Sequence, residues 1–405
     1  MTYGEILEYL YAQLPMFHRI GPAAYKPDLS NTIALCNVIG NPQEKLKYVH
    51  VAGTNGKGST SHMIASALQE AGYKTGLCTS PHLKDFRERI RVNGNMIPES
   101  DVVDFVKQYK DQWEVIQPSF FEMTIALSFW FFEKEKIDIA VIETGLGGRL
   151  DSTNIILPEV SVITNIGFDH MNLLGETIEK IAAEKAGIIK ESTPVVLGEM
   201  KPNARSVMEK FAADKHSKIT DASLNSGDAP ATSLKGYYQE ENRRTAYQTL
   251  RVLQNLDWKI SNENIANGFI KVSENTGLMG RWQILSESPL TVADVAHNED
   301  GVRVLMNQVA DCKYKQLHFV IGMVADKDIT KVLSMLPKDA QYYFCKANIP
   351  RGLDAKELAA FGYEMGLKGN TYSSVAHAFT AAKNTADKDD MILIGGSVFT
   401  VAEAI

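Results

Sequence analysis

Residues 48–60 do most to narrow what this chain can become. The apolar run Tyr48–Ala52 passes directly into Gly53-Thr54-Asn55-Gly56-Lys57-Gly58-Ser59-Thr60, and a helical pattern follows through Ser61–Ala71. A buried strand, a glycine-rich turn and a helix start, in that order, form a phosphate-binding loop. Glycines let backbone N–H groups converge on phosphate oxygens, the helix end contributes its positive dipole, and Lys57 supplies a point charge. The Ser59 hydroxyl is placed to reach a Mg²⁺ carried by a nucleotide. The spacing departs from GxxxxGK[ST], because Gly58 separates Lys57 from Ser59 and fewer residues precede the lysine. A glycine turn without a ligand is the bland alternative, and the strand, lysine and Ser/Thr context weighs against it.

Beyond this loop, short apolar runs alternate with helical stretches. Thr75–Thr79, Ile137–Ile142, Val160–Ile166 and Pro194–Leu197 read as buried strands, so a parallel sheet covered by helices is expected. Ser223–Lys235 lacks periodicity and reads as a loop, with helices resuming at Glu240–Asn255 and Glu263–Lys271. A second series begins near Leu290, with strands at Thr291–Asp294, Leu317–Ile321, Gln341–Cys345 and Met391–Ile394 and a helix at Ala355–Glu364. The fold class expected is α/β: a P-loop parallel-sheet domain over 1–282, then a smaller Rossmann-like α/β domain over 289–405, with the boundary around Gly280–Ser288. A chain of 405 residues suits two cores better than one.

Composition excludes several classes. Hydrophobic residues make up 44% and charged residues 22%, which argues against disorder. A net charge of −7 offers no footprint for nucleic acid. Cys36, Cys78, Cys312 and Cys345 show no CxxC spacing, so reduced thiols are expected rather than disulfides or a structural zinc site. The N-terminal MTYGEILEYLYAQLPMF carries Glu5 and Glu8 and reads as an amphipathic helix, not a secretory signal. Apolar stretches such as Met123–Phe132 are too short to span a bilayer. A cytoplasmic enzyme with no membrane partner is the expectation.

Two further strand ends carry chemistry. Glu143 opens Glu143-Thr144-Gly145-Leu146-Gly147-Gly148-Arg149-Leu150-Asp151-Ser152-Thr153-Asn154 behind the run Ile137–Ile142. A carboxylate at a strand's C-terminal end stands where parallel sheets place their ligands, and it suits Mg²⁺, an oxygen-seeking cation. Val160–Ile166 likewise leads into Gly167-Phe168-Asp169-His170. A histidine there is more often structural, yet Ser59, Glu143 and His170 on one sheet edge favour a shared metal and phosphate site. Lys185, near a helix end at Gly187, is by itself an ordinary last-turn cation.

Taken together, GTNGKGST, Thr79-Ser80-Pro81-His82-Leu83, ETGLGGRLDSTN, Ile166–His170, EKAGI and Asp294-Val295-Ala296-His297-Asn298, in this order, resemble the folylpolyglutamate synthase and dihydrofolate synthase branch of the Mur ligase superfamily. The resemblance covers about residues 17–401 and includes the closing Gly395-Gly396-Ser397-Val398-Phe399. It implies ATP on Thr54–Thr60, with Gly56, Lys57 and Gly58 inside the loop, and Mg²⁺ on Ser59, Glu143 and His170. It further implies ATP contacts from Asn242, Arg281 and Asp294, a role for His297 on the substrate side, and a carbamylated Lys185. Folate contacts would come from Tyr25–Leu29, from Ser80, Pro81 and His82, from Phe120–Glu122 including Phe121 and Glu122, and from Arg149, Leu150 and Asp151. The family's usual DGAHN stands here as DVAHN, its Pro-Gly-Arg as Met279-Gly280-Arg281, and its His-Gln as Tyr238-Gln239.

The reaction so implied adds L-glutamate to a folate-type carboxylate through an acyl phosphate. Lys57, Glu143, His170 and Lys185 are its catalytic candidates. Expected partners are ATP, L-glutamate, and dihydropteroate or a reduced folate, acting on a monomer. Two rivals stand beside it. A cell-wall precursor ligase would need a further N-terminal domain, and fewer than fifty-three residues precede Gly53. A nucleotide-dependent switch module would hydrolyse ATP without using glutamate.

Overall fold

The computed structural model describes residues 1–16, 21, 26, 28–224, 229–325 and 329–405. By packing, the chain divides into two compact units, the first ending at Leu278 and the second built from Met279–Ile405 together with Leu234–Tyr237. That short segment belongs to the second unit because the Tyr237 N–H donates to Gln308 Oε1 (2.8 Å) and the Tyr237 hydroxyl to Asp311 (2.9 Å).

The first unit holds an eight-stranded sheet. Its strands are Tyr48–Ala52 (β1), Thr75–Cys78 (β2), Ile90–Val92 (β3), Asn95–Met96 (β4), Ile139–Glu143 (β5), Val160–Ile163 (β6), Val195–Leu197 (β7) and Ile219–Asp221 (β8), in the order β4-β3-β2-β5-β1-β6-β7-β8. From β2 to β8 the pairing is parallel, and β3 and β4 add an antiparallel edge. All five residues of β1 are buried, as in a sheet covered on both faces. The β3–β4 hairpin turns at Asn93-Gly94, both at positive φ (46° and 76°), a conformation that Asn-Gly adopts readily.

Helix ends follow local sequence. Thr2 and Glu5 form a capping box at the helix Tyr3–Gln13, as do Ser119 and Glu122 at Phe120–Glu135. The latter helix is apolar nearly all round. It lies in a core with Phe86, Phe105, Trp113 and Ile142, which explains the long apolar stretch without a membrane. A separate core joins Ala52 and Ile163 to the helices Ile178–Ala186 and Pro202–Asp214.

The second unit has six strands, Gln283–Glu287 (β9), Leu290–Ala293 (β10), Leu317–Ile321 (β11), Gln341–Phe344 (β12), Lys368–Thr371 (β13) and Met391–Gly395 (β14). Their order is β13-β12-β11-β14-β10-β9, with β9 alone antiparallel. The α/β class with two parallel-dominated sheets is thus as expected.

Some boundaries differ from the sequence reading. The helix after the phosphate loop starts at Lys57 rather than Ser61, since glycines at 56 and 58 disguise its first turn. Glu143 is the last residue of β5, paired in register with Val51, rather than the first residue beyond it. The stretch 280–288 contains β9, an edge strand whose exposed face supplies no hydrophobic periodicity. No helix of the described residues is long and apolar enough to cross a membrane.

Candidate active site

In the first sheet β5, β1 and β6 are neighbours, and the later strands lie on opposite sides of β1. Parallel sheets bind ligands beyond their strand C-termini at such a reversal. Three sequence-predicted segments leave these strands at that edge: the loop after Ala52, Glu143 with its glycine turn, and the run from Thr164 to His170.

The phosphate loop is built for close approach. Gly56 caps the helix Lys57–Glu70 at φ 80° with no side-chain cap, so the helix N–H groups face outward as an anion site. A Cβ on Gly56 would come within 2.0 Å of Asn242 Oδ1, which places Asn242 against the loop. The Lys57 ammonium folds back onto the carbonyls of Gly53 (3.1 Å) and Thr54 (3.2 Å). Gly58, Ser59 and Thr60 continue the first turn, and both hydroxyl residues are buried.

Residues that the sequence reading passed over hold the loop in place. The Thr54 N–H donates to the Asn165 carbonyl (3.0 Å) and the Asn55 N–H to Asn165 Oδ1 (2.8 Å). Thr54 Oγ1 exchanges hydrogen bonds with Gly167, and Thr164 Oγ1 donates to the Asn55 carbonyl (2.6 Å). Gln239 Nε2 donates to Ser59 Oγ (3.2 Å), while Asn242 donates to Gln239 Oε1 (3.0 Å). Gln239 and Asn242 stand three apart on one helix face, a signal visible in the sequence.

Glu143 is 4% exposed, and its Oε2 accepts the Ser80 N–H at 3.1 Å. His170 adopts a left-handed conformation (φ 49°) ahead of the helix Met171–Leu174, with its N–H on Asp169 Oδ1 (2.9 Å). Among the described residues no group of three His, Cys, Asp or Glu could enclose a metal by itself. The donors assigned here, a carboxylate, a hydroxyl and an imidazole, form an open set. It suits a hard divalent cation such as Mg²⁺, whose other positions nucleotide phosphates and water fill.

Lys185 is 4% exposed, and its Nζ donates to the Gly53 carbonyl at 2.8 Å. Burial, followed by the Lys57 charge, lowers its pKa to about 7, against opposing pulls from Asp169 and Asp151. Arg149, in the glycine turn, is bound to Glu184 (2.8 Å). The glycine turn sits tight against this helix end: a Cβ on Gly148 would lie 2.8 Å from the carbonyls of Glu184 and Lys185.

On the substrate side, Ser80, Pro81 and His82 follow β2, and His82 Nδ1 accepts from Arg89 Nε (2.7 Å). The Phe121 ring packs on the Gly145 backbone, where a Cβ would meet it at 2.5 Å. Glu122 Oε2 accepts the Ser119 N–H (2.6 Å), so this carboxylate serves its helix end. Asp151 is likewise committed, accepting from the N–H groups of Leu146 (2.8 Å) and Thr153 (3.0 Å), and burial raises its pKa. Arg149 is exposed and Leu150 half-buried. Tyr25 and Pro27 lie outside the described residues.

Arg281, Asp294 and His297 belong to the second unit. Asp294 is 1% exposed and accepts from the N–H groups of Trp282 (2.7 Å) and Ala296 (2.9 Å). His297 Nδ1 contacts the Val295 carbonyl (2.9 Å), and an Arg281 Nη donates to the Gly280 carbonyl (3.3 Å).

A P-loop on a parallel sheet, with a carboxylate and a buried lysine beside it, in a chain that continues into a second α/β unit, defines a nucleotide-dependent enzyme. Residues 51–266 match the family described as Mur ligase middle domain, and residues 280–398 that described as Mur ligase, glutamate ligase domain. The chain belongs to the Mur ligase family, in its folylpolyglutamate synthase/dihydrofolate synthase branch. It is 37% identical to the dihydrofolate synthase/folylpolyglutamate synthase of Bacillus subtilis, over 82% of this chain and 84% of that one. A probable bifunctional folylpolyglutamate synthase/dihydropteroate synthase of Haloferax volcanii is 33% identical over 100% of this chain, which spans only 50% of that longer protein. Among solved structures, E. coli FolC in complex with DHPP and ADP superposes with a TM-score of 0.86 at 31% identity, covering 100% of this chain and 97% of that one. The bifunctional enzyme of Yersinia pestis, complexed with AMPPNP and a Mn ion, gives 0.85 at 29% identity, with 100% and 97% covered.

Proposed function

We propose that this chain is an ATP-dependent ligase that joins L-glutamate to the carboxylate of dihydropteroate and of a reduced folate. The observation that carries the reading is the phosphate loop on β1, flanked by the ends of β5 and β6, with Glu143 on one side and the Thr164–His170 run on the other. The activities named for the relatives and the ligands bound in the similar solved structures support the same chemistry. Four unpaired cysteines accord with a cytoplasmic setting.

A carboxylate becomes acylable only when one oxygen is made a leaving group. The acceptor carboxylate attacks the γ-phosphorus of ATP, the bond to the β-bridging oxygen breaks, and ADP departs. The glutamate amine then attacks the acyl carbon, loses a proton and expels phosphate, leaving an amide. Loop N–H groups from Gly56 to Ser59 hold the phosphates, and the Lys57 ammonium leaves its own loop carbonyls to offset charge on the transferring group. Ser59, Glu143 and His170 would hold Mg²⁺, which screens phosphate charge when bound. Asn165 and Thr164 keep the loop in its receiving shape before ATP arrives. Lys185 enters as a neutral amine able to take up CO₂ and become an anion. Arg281, Asp294 and His297 are assigned to ATP and substrate on the family resemblance.

The test is ADP release with dihydropteroate or tetrahydrofolate as acceptor, with and without glutamate. The reading expects release that depends on both acceptor and glutamate. ADP release indifferent to glutamate would return the chain to the switch-module alternative.

A further inference from the structure

Three arginines follow the Ser80–His82 loop, and two of them have evident partners. Arg87 is paired with Asp85 (2.7 Å) and Glu99 (3.4 Å), and Arg91 Nη1 donates to the Gly94 carbonyl (3.0 Å). Arg89 differs. It is 3% exposed, its Nε donates to His82 Nδ1 at 2.7 Å, and its guanidinium carbon stands 5.5 Å from the centre of the Phe120 ring. No carboxylate of the described residues forms an ion pair with it, and its two Nη groups hydrogen-bond to none of them.

The nearby acids are engaged elsewhere. Glu88 accepts the N–H groups of Leu83 (2.8 Å), Lys84 (2.9 Å) and Asp85 (2.9 Å), pinning the loop, while Glu143 accepts that of Ser80. Burial lowers the Arg89 pKa only to about 10, so it remains a cation at neutral pH. A buried cation with most of its donors unused is costly to keep, and such a group in a ligand-binding region is explained by an anion that arrives with the ligand.

We propose that Arg89 binds the acceptor carboxylate, its Nη edge taking the carboxylate oxygens while its Nε holds His82. The proposal rests on the ligase reading. A guanidinium presents a planar fork that matches a carboxylate, which favours this anion over a compact halide. Position agrees, because Ser80 on Glu143 and His82 on Arg89 are two residues apart on one loop. A carboxylate on Arg89 is thereby brought beside the proposed site of phosphoryl transfer. The Phe120 face below the guanidinium, itself edge-on to Phe86 (5.5 Å), offers the apolar wall that an aromatic acid needs next to its charge. His82, which accepts from Arg89 at Nδ1, carries its proton on Nε2.

Steady-state kinetics of Arg89→Lys and Arg89→Gln test this. The acceptor KM should rise at least tenfold in Arg89→Lys and further in Arg89→Gln, with the KM values for ATP and glutamate changed less than threefold. An acceptor KM within twofold of wild type in a folded variant overturns the proposal. If neither variant folds, a structure of the wild-type enzyme with dihydropteroate decides: a carboxylate within hydrogen-bond distance of an Arg89 Nη supports it, and one more than about 5 Å away, beyond any hydrogen bond, rejects it. A wild-type enzyme without glutamate-dependent ADP release sinks the ligase reading instead, so the two failures are distinct.

Discussion

The amide of Gln239 donates to the hydroxyl of Ser59 across 3.2 Å, although 180 residues separate them in sequence. Both are buried, and the same amide accepts from Asn242, whose Oδ1 abuts Gly56. One side chain therefore ties the residue assigned to Mg²⁺ to the one assigned to ATP. The donated N–H occupies one lone pair of Ser59 and leaves the hydroxyl oriented.

Gln239→Leu should then raise the magnesium concentration needed for half-maximal activity three- to tenfold, a loss of about 1 kcal/mol, as for a typical hydrogen bond. Gln239→Glu replaces the donor by an acceptor and should not restore it. Unchanged magnesium and ATP titrations in both variants would show that the contact is packing alone.

Lys57→Ala should lower turnover at least about a thousandfold, or ~4 kcal/mol of barrier, while leaving the melting temperature within a few degrees. The lysine bonds only to carbonyls of its own loop, so its removal empties no core. Ligase activity within tenfold of wild type would undo the P-loop assignment.

Glu143→Ala and His170→Ala should each shift the magnesium titration of activity to higher concentration. Glu143→Ala should also loosen the Ser80 loop, because it removes the acceptor of that N–H, and so raise the acceptor KM as well. His170→Ala lacks this second effect. Titrations superposable on wild type would mean that the metal is held elsewhere.

What the sequence disclosed and what it hid have physical reasons. The strand, glycine turn and helix at 48–70 were legible because the chemistry is local, and the helix Ala355–Glu364 matched to the residue. Strand order was not legible: that β5 inserts between β2 and β1 depends on packing between distant segments. The same limit hid Asn165 and Arg89, whose partners lie across the fold or whose burial leaves no periodic mark. Asp151 and Glu122 stand in the expected motifs, but the structure shows each carboxylate holding backbone N–H groups, a task that no motif announces. The hairpin at Asn93-Gly94 was within reach, since Asn-Gly between apolar residues is a turn signal.

Lys185 offers the sharpest test of charge at the site. Desolvation first, and the neighbouring Lys57 second, hold its pKa near 7, whereas a lysine in water titrates near 10.5. The sign follows directly: above about pH 7 the buried group is mostly a neutral amine, and below it an ammonium. Only the amine reacts with CO₂, forming a carbamate and releasing a proton, so the side chain changes from a cation beside Lys57 to an anion that attracts it. Activity after equilibration should therefore rise with bicarbonate at pH 8 and fall when the enzyme is held CO₂-free at pH 6. Lys185→Ala should lose most activity, with partial recovery in acetate or formate, small anions able to enter the vacated space. Lys185→Arg should stay inactive, because a guanidinium keeps its proton throughout this range and cannot be carbamylated. A fully active Lys185→Arg enzyme, or a density map of active enzyme with an unmodified lysine bonded to Gly53, would leave Lys185 a buried amine that braces the phosphate loop and nothing more.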